Sequence, residues 1–456
     1  MKINKLITIC VIFLMNPFIF AQENDEIKQY KLNNGIPVYY VHNENNEIDS
    51  VIINVQDGIN YITPEYSGLQ TATLALMQQG SKKYNFDYIQ NYKYETLSSF
   101  SSYSDLKCSG LNVNSTSENM EESLDILIDC FMNPNMADTD FQKMLVEYNI
   151  GIQQLLNDPL QLSVYYTKKL LFKDNAMESS TSVTPDSIKN ITLNEIKKYY
   201  NNFQDSRKLS VIAVVGMSPE DLLKILNQNL GKIKAQNTKI VNKEFTPVKF
   251  NEKPLVLTHE YAKNTGYIFR FFPDISPSDS DYFTTKVVEL IYSDILYNVI
   301  RTKWGICYSV MKSDMSSFSN VGYELIYQCS DVTKIKEALT EAQNIMNNEK
   351  YIYSTDKDGI QHEKLYSESL EKFKNKLITS TFASQETTSG ISFRILSSLE
   401  LYGDTTTVNK NIDKIIQITP SDVDRVFKKT VMSSDNFWVG TVGPDDEEKL
   451  VNVFNK

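Results

Sequence analysis

The sequence predicts an α+β fold made of two homologous α/β-sandwich domains, produced by tandem duplication. The first observation is an internal repeat, because residues 191–226 and 418–454 align without a gap, at an offset of 227 residues, up to a glycine shared by both copies. The second observation is that strand-like and helical segments alternate, with recurrent hairpins. A repeat with such a long period indicates duplicated domains rather than a solenoid of short units.

Several elements of the first half follow from local pattern. Asn33-Asn34-Gly35 predicts a hairpin turn, and residues 49–55 predict a further apolar strand. Residues 119–132 carry their apolar side chains on one face and predict an amphipathic helix. Another helix is expected over about 141–156. The run 98–104, made only of Ser, Phe and Tyr, is interpreted as a strand and turn rather than as a recognition surface.

Each copy of the repeat contains the same succession of elements. A threonine, Thr192 or Thr419, precedes a short amphipathic helix as its N-cap. An apolar strand follows and ends in Val-Gly, and a second helix opens with Ser218-Pro219 or Pro444-Asp445. We therefore expect this unit to close each half of the chain.

The second half begins after a lysine-rich segment with weak periodicity. The predicted boundaries are a first domain over 22–230, a linker over 231–255 and a second domain over 256–456. Residues 265–272 predict the strand that restarts the pattern, and an apolar helix is expected at about 283–300.

The N-terminus has the features of a secretory signal peptide. Lys2 and Lys5 precede an apolar run that ends near Ala21, so residues 1–21 form the predicted leader. The run is too short to span a membrane, and the mature chain is predicted to have no integral membrane segment. We expect an exported protein in the periplasm, with secretion as the alternative.

The net charge limits the classes of partner, and the cysteines indicate whether disulfides can form. Without the leader, the chain holds 44 basic and 57 acidic residues, which disfavours nucleic acid as a partner. An exported chain can keep disulfides. Cys307 and Cys329 flank a predicted hairpin and are expected to lie opposite each other, and Cys108 with Cys130 is the second candidate pair. The alternative is that all four are small buried apolar residues.

Residues 68–81 resemble the inverted zinc motif of the insulinase/pitrilysin metallopeptidases. That motif has the form Gly-Leu-Ala-His-x-x-Glu-His, followed by four mostly apolar residues and Gly-Thr or Gly-Ser. Gly68, Leu69 and the closing Gly80-Ser81 match it in register. Further segments similar to the family are LNNGIPVYYV, FMNPNM, LLNDP and VGP, so the resemblance covers nearly the whole mature chain. It implies paired homologous domains that form half of a clamshell chamber.

The resemblance leaves the zinc positions without ligands. The two histidines of the motif fall on Thr71 and Ala75, and its glutamate falls on Leu74. Alanine and leucine cannot coordinate a metal, and a lone threonine hydroxyl is a poor ligand. In the region that would supply the third ligand, residues 151–155 contain no carboxylate, and Glu147 lies about one turn too early. No metal or other cofactor is therefore expected in this chain.

Other catalytic patterns do not replace the missing motif. The three histidines, His42, His259 and His362, lie in different segments without helical ligand spacing. The sequence contains no Gly-x-Ser-x-Gly elbow, phosphate-binding loop or dinucleotide fingerprint. A serine, cysteine or nucleotide enzyme is not supported.

One further segment, Arg301-Thr-Lys-Trp-Gly-Ile-Cys-Tyr308, resembles the family's Arg-Glu-x-x-Gly-Leu-Ala-Tyr. In that family, the arginine and tyrosine reach from the second domain to the zinc site, where they hold the substrate backbone and the carbonyl oxygen under attack. The alternative interpretation is that Tyr308 packs on a strand and Arg301 complements a helix dipole.

The resemblance implies a zinc-free subunit of a heterodimeric peptidase. Some relatives divide the work between two chains, so this chain would lend Arg301 and Tyr308 in trans to a homologous zinc-bearing partner acting on an extended peptide. A peptide-binding or scaffolding protein on the same fold, without a zinc partner, is the alternative from a different class. An autonomous hydrolase is the least supported interpretation.

Overall fold

The computed structural model describes residues 27–44, 46–237, 239–240, 243–250, 253–315, 319–358, 360–383, 386–405 and 407–455. The predicted signal peptide, residues 1–21, lies outside the described residues. Within these ranges, no helix combines the length and hydrophobicity needed to cross a bilayer.

The first half contains one six-stranded sheet with helices packed on it. Its strands are β1 (Lys28–Lys31), β2 (Pro37–His42), β3 (Ile48–Val55), β4 (Ser99–Ser104), β5 (Ser109–Thr116) and β6 (Leu209–Val215). Its helices are α1 (Leu69–Met77), α2 (Phe86–Thr96), α3 (Met120–Met132), α4 (Asp138–Asn157), α5 (Pro159–Leu171), α6 (Leu193–Tyr200) and α7 (Pro219–Asn229). The predicted hairpin, the strand over 49–55, the strand over 98–104 and both predicted helices are confirmed.

The second half contains a five-stranded sheet and a separate two-stranded hairpin. The strands are β7 (Leu255–Thr258), β8 (Gly266–Pro273), β9 (Cys307–Asp314), β10 (Val321–Cys329), β11 (Lys350–Thr355), β12 (Gln361–Leu365) and β13 (Phe437–Val442). The helices are α8 (Tyr282–Leu296), α9 (Ile335–Asn347), α10 (Leu370–Ala383), α11 (Thr388–Tyr402), α12 (Thr407–Ile416), α13 (Pro420–Lys429) and α14 (Glu447–Phe454). The α+β fold class is thereby confirmed.

The two main sheets share a five-stranded topology, to which the first sheet adds the edge strand β1. The first has the order β1-β2-β6-β3-β5-β4, and the second has the order β7-β13-β8-β10-β9. In each, the strand of the repeat lies between one parallel neighbour and one antiparallel neighbour: β6 between β2 and β3, and β13 between β7 and β8. The repeat helices also correspond, because α6 and α13 are capped by Thr192 and Thr419.

Each half contributes a helix to the sheet of the other half. Helix α5 packs on β13 and β8, and the Ser163 hydroxyl lies 2.5 Å from the Thr441 hydroxyl. Helix α11 packs on β3 and β6, where Ile395 and Leu396 join a buried cluster of the first sheet. Because burying a large apolar side chain is worth about 1.5–3 kcal/mol, this exchange fixes the two halves against each other.

The predicted linker packs against both halves. Phe245 and Val248 contact the apolar cluster between α5 and the second sheet, and the Asn175 amide donates to the Thr246 carbonyl oxygen at 2.6 Å. The final residue of the predicted linker, Leu255, is already the first residue of β7. This four-residue strand was missed in the sequence because it follows a lysine-rich segment directly and depends on its pairing with β13.

The cysteines lie in two different situations. Cys307 and Cys329 occupy opposed positions of β9 and β10, as the predicted hairpin required. Its expected centre, Phe318, lies outside the described residues. Cys108 packs under α11, whereas Cys130 belongs to a separate cluster between α2 and α3, so the structure does not support a bridge between them. All four are thiols in the structure.

Candidate functional site

The degenerate zinc motif forms helix α1, and a glycine fixes its start. Gly68 precedes the helix with φ 82°, a left-handed conformation that favours glycine. A Cβ at this position would lie 2.3 Å from the Val183 backbone nitrogen. The glycine of the motif is therefore required by the local fold, independently of any metal.

The three α1 positions that correspond to two zinc ligands and the general base of the motif have structural roles in this chain. Leu74 is fully buried in the core of the first half, and Ala75 packs against the same cluster. The Thr71 hydroxyl donates to the Thr181 carbonyl oxygen at 2.6 Å, so it is committed to a structural hydrogen bond. None of the three side chains is available as a strong metal ligand.

The helix expected to supply a third ligand is also apolar where it faces α1. Within residues 151–155, Ile152 is buried in the same cluster as Leu74. The nearest acid, Glu147, is exposed on α4. The residues present do not fit a zinc ion here, because an apolar core replaces the donors.

No group of three or more His, Cys, Asp or Glu side chains among the described residues is placed to hold a metal ion. His42 accepts or donates a hydrogen bond with the Tyr40 hydroxyl at 2.8 Å. His259 Nε2 lies 3.0 Å from the Leu156 carbonyl oxygen, and His362 Nε2 lies 3.5 Å from an Asp356 oxygen. The three histidines thus have separate local partners.

Arg301 is held in a π-helical segment that extends α8. The sequence predicted a continuous helix to about residue 300, but α8 ends at Leu296 and residues Tyr297–Lys303 form π-helix. The wider turn corrects the predicted geometry, and the helical segment ends at Lys303 rather than at about residue 300. π-Helical turns are rare and frequent at functional sites.

The guanidinium of Arg301 lies between two tyrosine rings. Its Cζ is 5.3 Å from the centre of the Tyr297 ring and 4.9 Å from the centre of the Tyr308 ring. Its Nη1 also donates to the Tyr308 carbonyl oxygen. Arg301 and Tyr308 are therefore brought together, with the arginine held by two cation–π contacts and one hydrogen bond.

Tyr308 lies on β9, the strand at the edge of the second sheet, and is 61% exposed. Its ring contacts the Tyr327 ring edge-on at 6.3 Å. Its hydroxyl makes no hydrogen bond with any residue that the structure describes. Gly305, with φ 64°, forms the turn between the π-helical segment and the strand.

The charge of Arg301 is not neutralised within the described part of the chain. Arg207, Arg270 and Arg425 each pair with a carboxylate, at 2.6, 3.1 and 2.5 Å. For Arg301, the described residues provide no ion pair. A partly exposed guanidinium that is held by two tyrosine rings and keeps free donors is suited to binding carbonyl or carboxylate oxygens of another molecule.

Two residues of this cluster were missed in the sequence. Tyr297 precedes Arg301 by four residues and stacks on it, and Tyr327 supports Tyr308 from β10. The i,i+4 spacing of Tyr297 and Arg301 is the only signal that pointed to the first contact. The second depends on the register of β9 and β10.

The two parts of the predicted site belong to different halves. Helix α1 packs against α6, β4 and α4, whereas β9 packs against α8 and the π-helical segment. The zinc-motif positions of α1 and the Arg301–Tyr308 pair therefore pack against different elements, each within its own half of the chain.

Comparisons with known proteins point to one class of protein, the M16 peptidases. Residues 190–358 match the family model described as the peptidase M16 inactive domain. This segment contains the first copy of the repeat and the Arg301–Tyr308 pair. No curated protein matches the chain by sequence.

Solved structures agree with the family match in fold. The chain is similar to the peptidase M16 inactive domain from Pseudomonas fluorescens, with 14% identity and a TM-score of 0.75, over 92% of this chain and 98% of that chain. It is similar to a protease from Helicobacter pylori, with 12% identity and a TM-score of 0.78, over 91% and 99%. It is also similar to the periplasmic protease PqqL from Escherichia coli, with 13% identity and a TM-score of 0.73.

These findings confirm the predicted resemblance to the insulinase/pitrilysin metallopeptidases. Residues 190–358 match the inactive domain of the M16 peptidases, which are the insulinase/pitrilysin type, and the chain shares the fold of solved structures described in the same terms. It covers 46% of PqqL, so it spans about half the length of that protease.

Proposed function

We propose that this chain is the zinc-free subunit of a heterodimeric, exported metallopeptidase. The observation that carries the proposal is Arg301, which is held between Tyr297 and Tyr308 and has no carboxylate partner among the described residues. A purely structural arginine would be expected to bind a carboxylate, as Arg270 does in the buried pair with Glu324. The inactive-domain match supports a role beside an active peptidase.

In this proposal, the chemical step belongs to a homologous partner that carries zinc, and this chain contributes binding. Arg301 donates from its free N–H groups to main-chain carbonyl oxygens of an extended peptide. The Tyr308 hydroxyl donates to the carbonyl oxygen under attack and stabilises the negative charge that develops there. Tyr297 keeps the guanidinium in place. The two chains together close the chamber.

The first test is whether the partner exists. The tagged chain is purified from its own cells and measured by native mass spectrometry with metal analysis. A one-to-one complex with a zinc-containing chain of similar size is expected. A metal-free monomer or homodimer would contradict the heterodimer.

The second test addresses the two residues in that purified complex. Tyr308→Phe should lower kcat for peptide cleavage by roughly 100-fold, because one donor to the oxyanion is lost. Arg301→Ala should raise KM at least as much as it lowers kcat, because it removes contacts made before the reaction.

The matched controls are Arg425→Ala, which breaks a surface ion pair, and Tyr94→Phe, at an 85% exposed tyrosine; both should leave cleavage unchanged. Unchanged activity in Arg301→Ala and Tyr308→Phe would refute the role in trans.

A second candidate function, peptide binding without a zinc partner, is favoured by one observation. Strand β4 is the edge of the first sheet, has the sequence SFSSYS and contains no charged residue. Edge strands usually carry charges or proline that prevent further pairing. An uncharged edge is suited to adding an extended peptide as a further strand. The sequence favoured only a structural strand here.

The two functions predict different sensitive residues. In a scaffold, Ser99→Lys/Ser101→Lys should weaken peptide binding to the isolated chain, because two cations are placed on the β4 edge. In the split peptidase, the same change should have less effect on cleavage by the complex than Arg301→Ala. Isothermal calorimetry with the isolated chain and cleavage assays with the complex separate these outcomes.

A further inference from the structure

The register of β9 and β10 places Cys307 and Cys329 directly opposite each other. One residue further along, the Ser330 amide donates to the Ile306 carbonyl oxygen at 2.8 Å. The Ile306 amide donates instead to the Ile300 carbonyl oxygen at 3.3 Å, so one of the two bonds of a hydrogen-bonded pair is made between Ser330 and Ile306. This bond places the cysteines at the neighbouring non-hydrogen-bonded position of the ladder. At such positions the Cα atoms are about 4.5 Å apart, which lies within the range found for disulfides.

Both cysteines contact the same apolar cluster of the second half. Cys329 is 1% exposed within that cluster, and Cys307 packs against it while remaining partly accessible. The residue between Tyr327 and Cys329, Gln328, adopts φ 53°, and the pairing of β10 with β8 shifts at this point. Beyond this irregularity, Cys329 joins the apolar cluster that Cys307 also contacts, whereas Tyr327 packs against the cluster between α5 and the second sheet.

We propose that Cys307 and Cys329 form a cross-strand disulfide, which ties the edge strand that carries Tyr308 to the sheet. The oxidant is a small-molecule or protein disulfide, such as oxidised glutathione. The Cys307 thiolate attacks one sulfur of the oxidant, forms a mixed disulfide and releases one thiol. The Cys329 thiolate then attacks the Cys307 sulfur and releases the second thiol. Two thiol groups of the chain are oxidised, and one disulfide of the oxidant is reduced.

The surroundings decide which cysteine reacts first. Burial raises the pKa of Cys329 to about 12, and the nearby Cys307 adds to that effect. Burial also raises the pKa of Cys307 to about 11, but the Arg301 guanidinium opposes this shift. Because the thiolate is the nucleophile, the partly exposed Cys307 beside Arg301 is the entry point, and formation is slow at neutral pH.

The chain provides its own control in Cys108 and Cys130. Both are buried, but they lie in separate clusters on different elements. They should remain thiols under conditions that oxidise Cys307 and Cys329. Trypsin releases both control cysteines in one peptide, residues 108–143, whereas Cys307 and Cys329 fall on the peptides 304–312 and 313–334.

The experiment uses the chain 22–456, which lacks Cys10, after incubation with oxidised glutathione. The protein is denatured, alkylated with N-ethylmaleimide and weighed intact, with and without prior reduction. We expect two alkylated cysteines without reduction, four after reduction, and a linked pair of the peptides 304–312 and 313–334. Four alkylated cysteines before reduction, a bond within 108–143, or glutathione retained on Cys307 would each overturn the proposal.

Variants test the same claim independently. Cys108→Ser/Cys130→Ser should still form the bond, and Cys329→Ser should stop at a glutathione adduct on Cys307. Reduction should lower the urea midpoint of the wild-type chain and leave that of Cys307→Ser/Cys329→Ser unchanged. A wild-type midpoint that does not respond to reduction would show that the bond does not tie the strand to the sheet.

Discussion

At the scale of single residues, helix α1 has the glycine that its backbone conformation requires but lacks the side chains that would bind a metal. Gly68 is retained at a left-handed position in close contact with the Val183 backbone, whereas the general-base position is a fully buried leucine, Leu74. A buried carboxylate at that position would need a partner, and the surrounding core offers none of the donors of a zinc site. The replacement therefore converts a polar site into core.

Gly68 gives a prediction that separates fold from chemistry. Gly68→Ala should lower the free energy of unfolding by about 3 kcal/mol or more, because the left-handed conformation and the contact with Val183 are both unfavourable for a Cβ. Urea denaturation followed by circular dichroism measures the change.

The matched control is Gly151→Ala, in the exposed middle of α4. Apart from its own helix backbone, no described atom lies within 4 Å of a Cβ built there, so alanine should stabilise the chain by about 1 kcal/mol through its higher helix propensity. Equal effects of the two substitutions would show that backbone conformation at residue 68 is not the cause.

The pair Arg301 and Tyr308 could be found from the sequence, but its surroundings could not. Spacing and the intervening Gly305 identified the two residues by resemblance. The π-helical turn adds one residue to a helical turn, and apolar periodicity does not reveal such a change. The stack of Tyr297 and Tyr327 around the pair depends on this turn and on strand register.

At the scale of elements, the predictions succeeded where pattern is local and failed where packing decides. The strand β3 and the helix α3 follow from alternation and from an amphipathic face. The short strand β7 was missed because its pairing with β13 supplies its stability. The exchange of α5 and α11 between the halves has no local signal, because an apolar helix face does not specify which sheet it covers.

Helix α11 offers a direct test of this exchange. Ile395→Ala and Leu396→Ala should each lower the free energy of unfolding by about 2–4 kcal/mol, because both side chains are buried against the first sheet. Both variants should also expose α11 to limited proteolysis. Tyr94→Ala, at an exposed position of α2, is the control and should behave like the wild-type chain. Resistance of α11 to protease in both variants would contradict its docking on β3 and β6.

At the scale of the whole molecule, the halves also meet through a partly buried carboxyl group. Glu400, near the end of α11, lies beside Lys107 and Asp105 of the first half. The Lys107 amine donates to the Glu400 carbonyl oxygen at 3.1 Å. Burial raises the pKa of the Glu400 carboxyl to about 7; Asp105 adds to the rise, and Lys107 and a hydrogen bond with Asn54 oppose it.

The raised pKa makes the contact between the halves sensitive to pH. The folded chain holds the Glu400 proton up to about pH 7, whereas the unfolded chain releases it near pH 4.5, so the folded state binds more protons between these values. The free energy of unfolding should therefore fall as pH rises from 5 to 7.5, by about 2 kcal/mol, and then level off. Carboxyls with lowered pKa, such as Asp125 and Asp205, titrate below this window.

Glu400→Gln should remove most of this pH dependence and be more stable than wild type at pH 8, whereas Glu147→Gln, on the exposed face of α4, should keep the slope of stability against pH. Urea unfolding at pH 5, 6, 7 and 8 measures the slope, and an unchanged slope in Glu400→Gln would assign the pH dependence to another group.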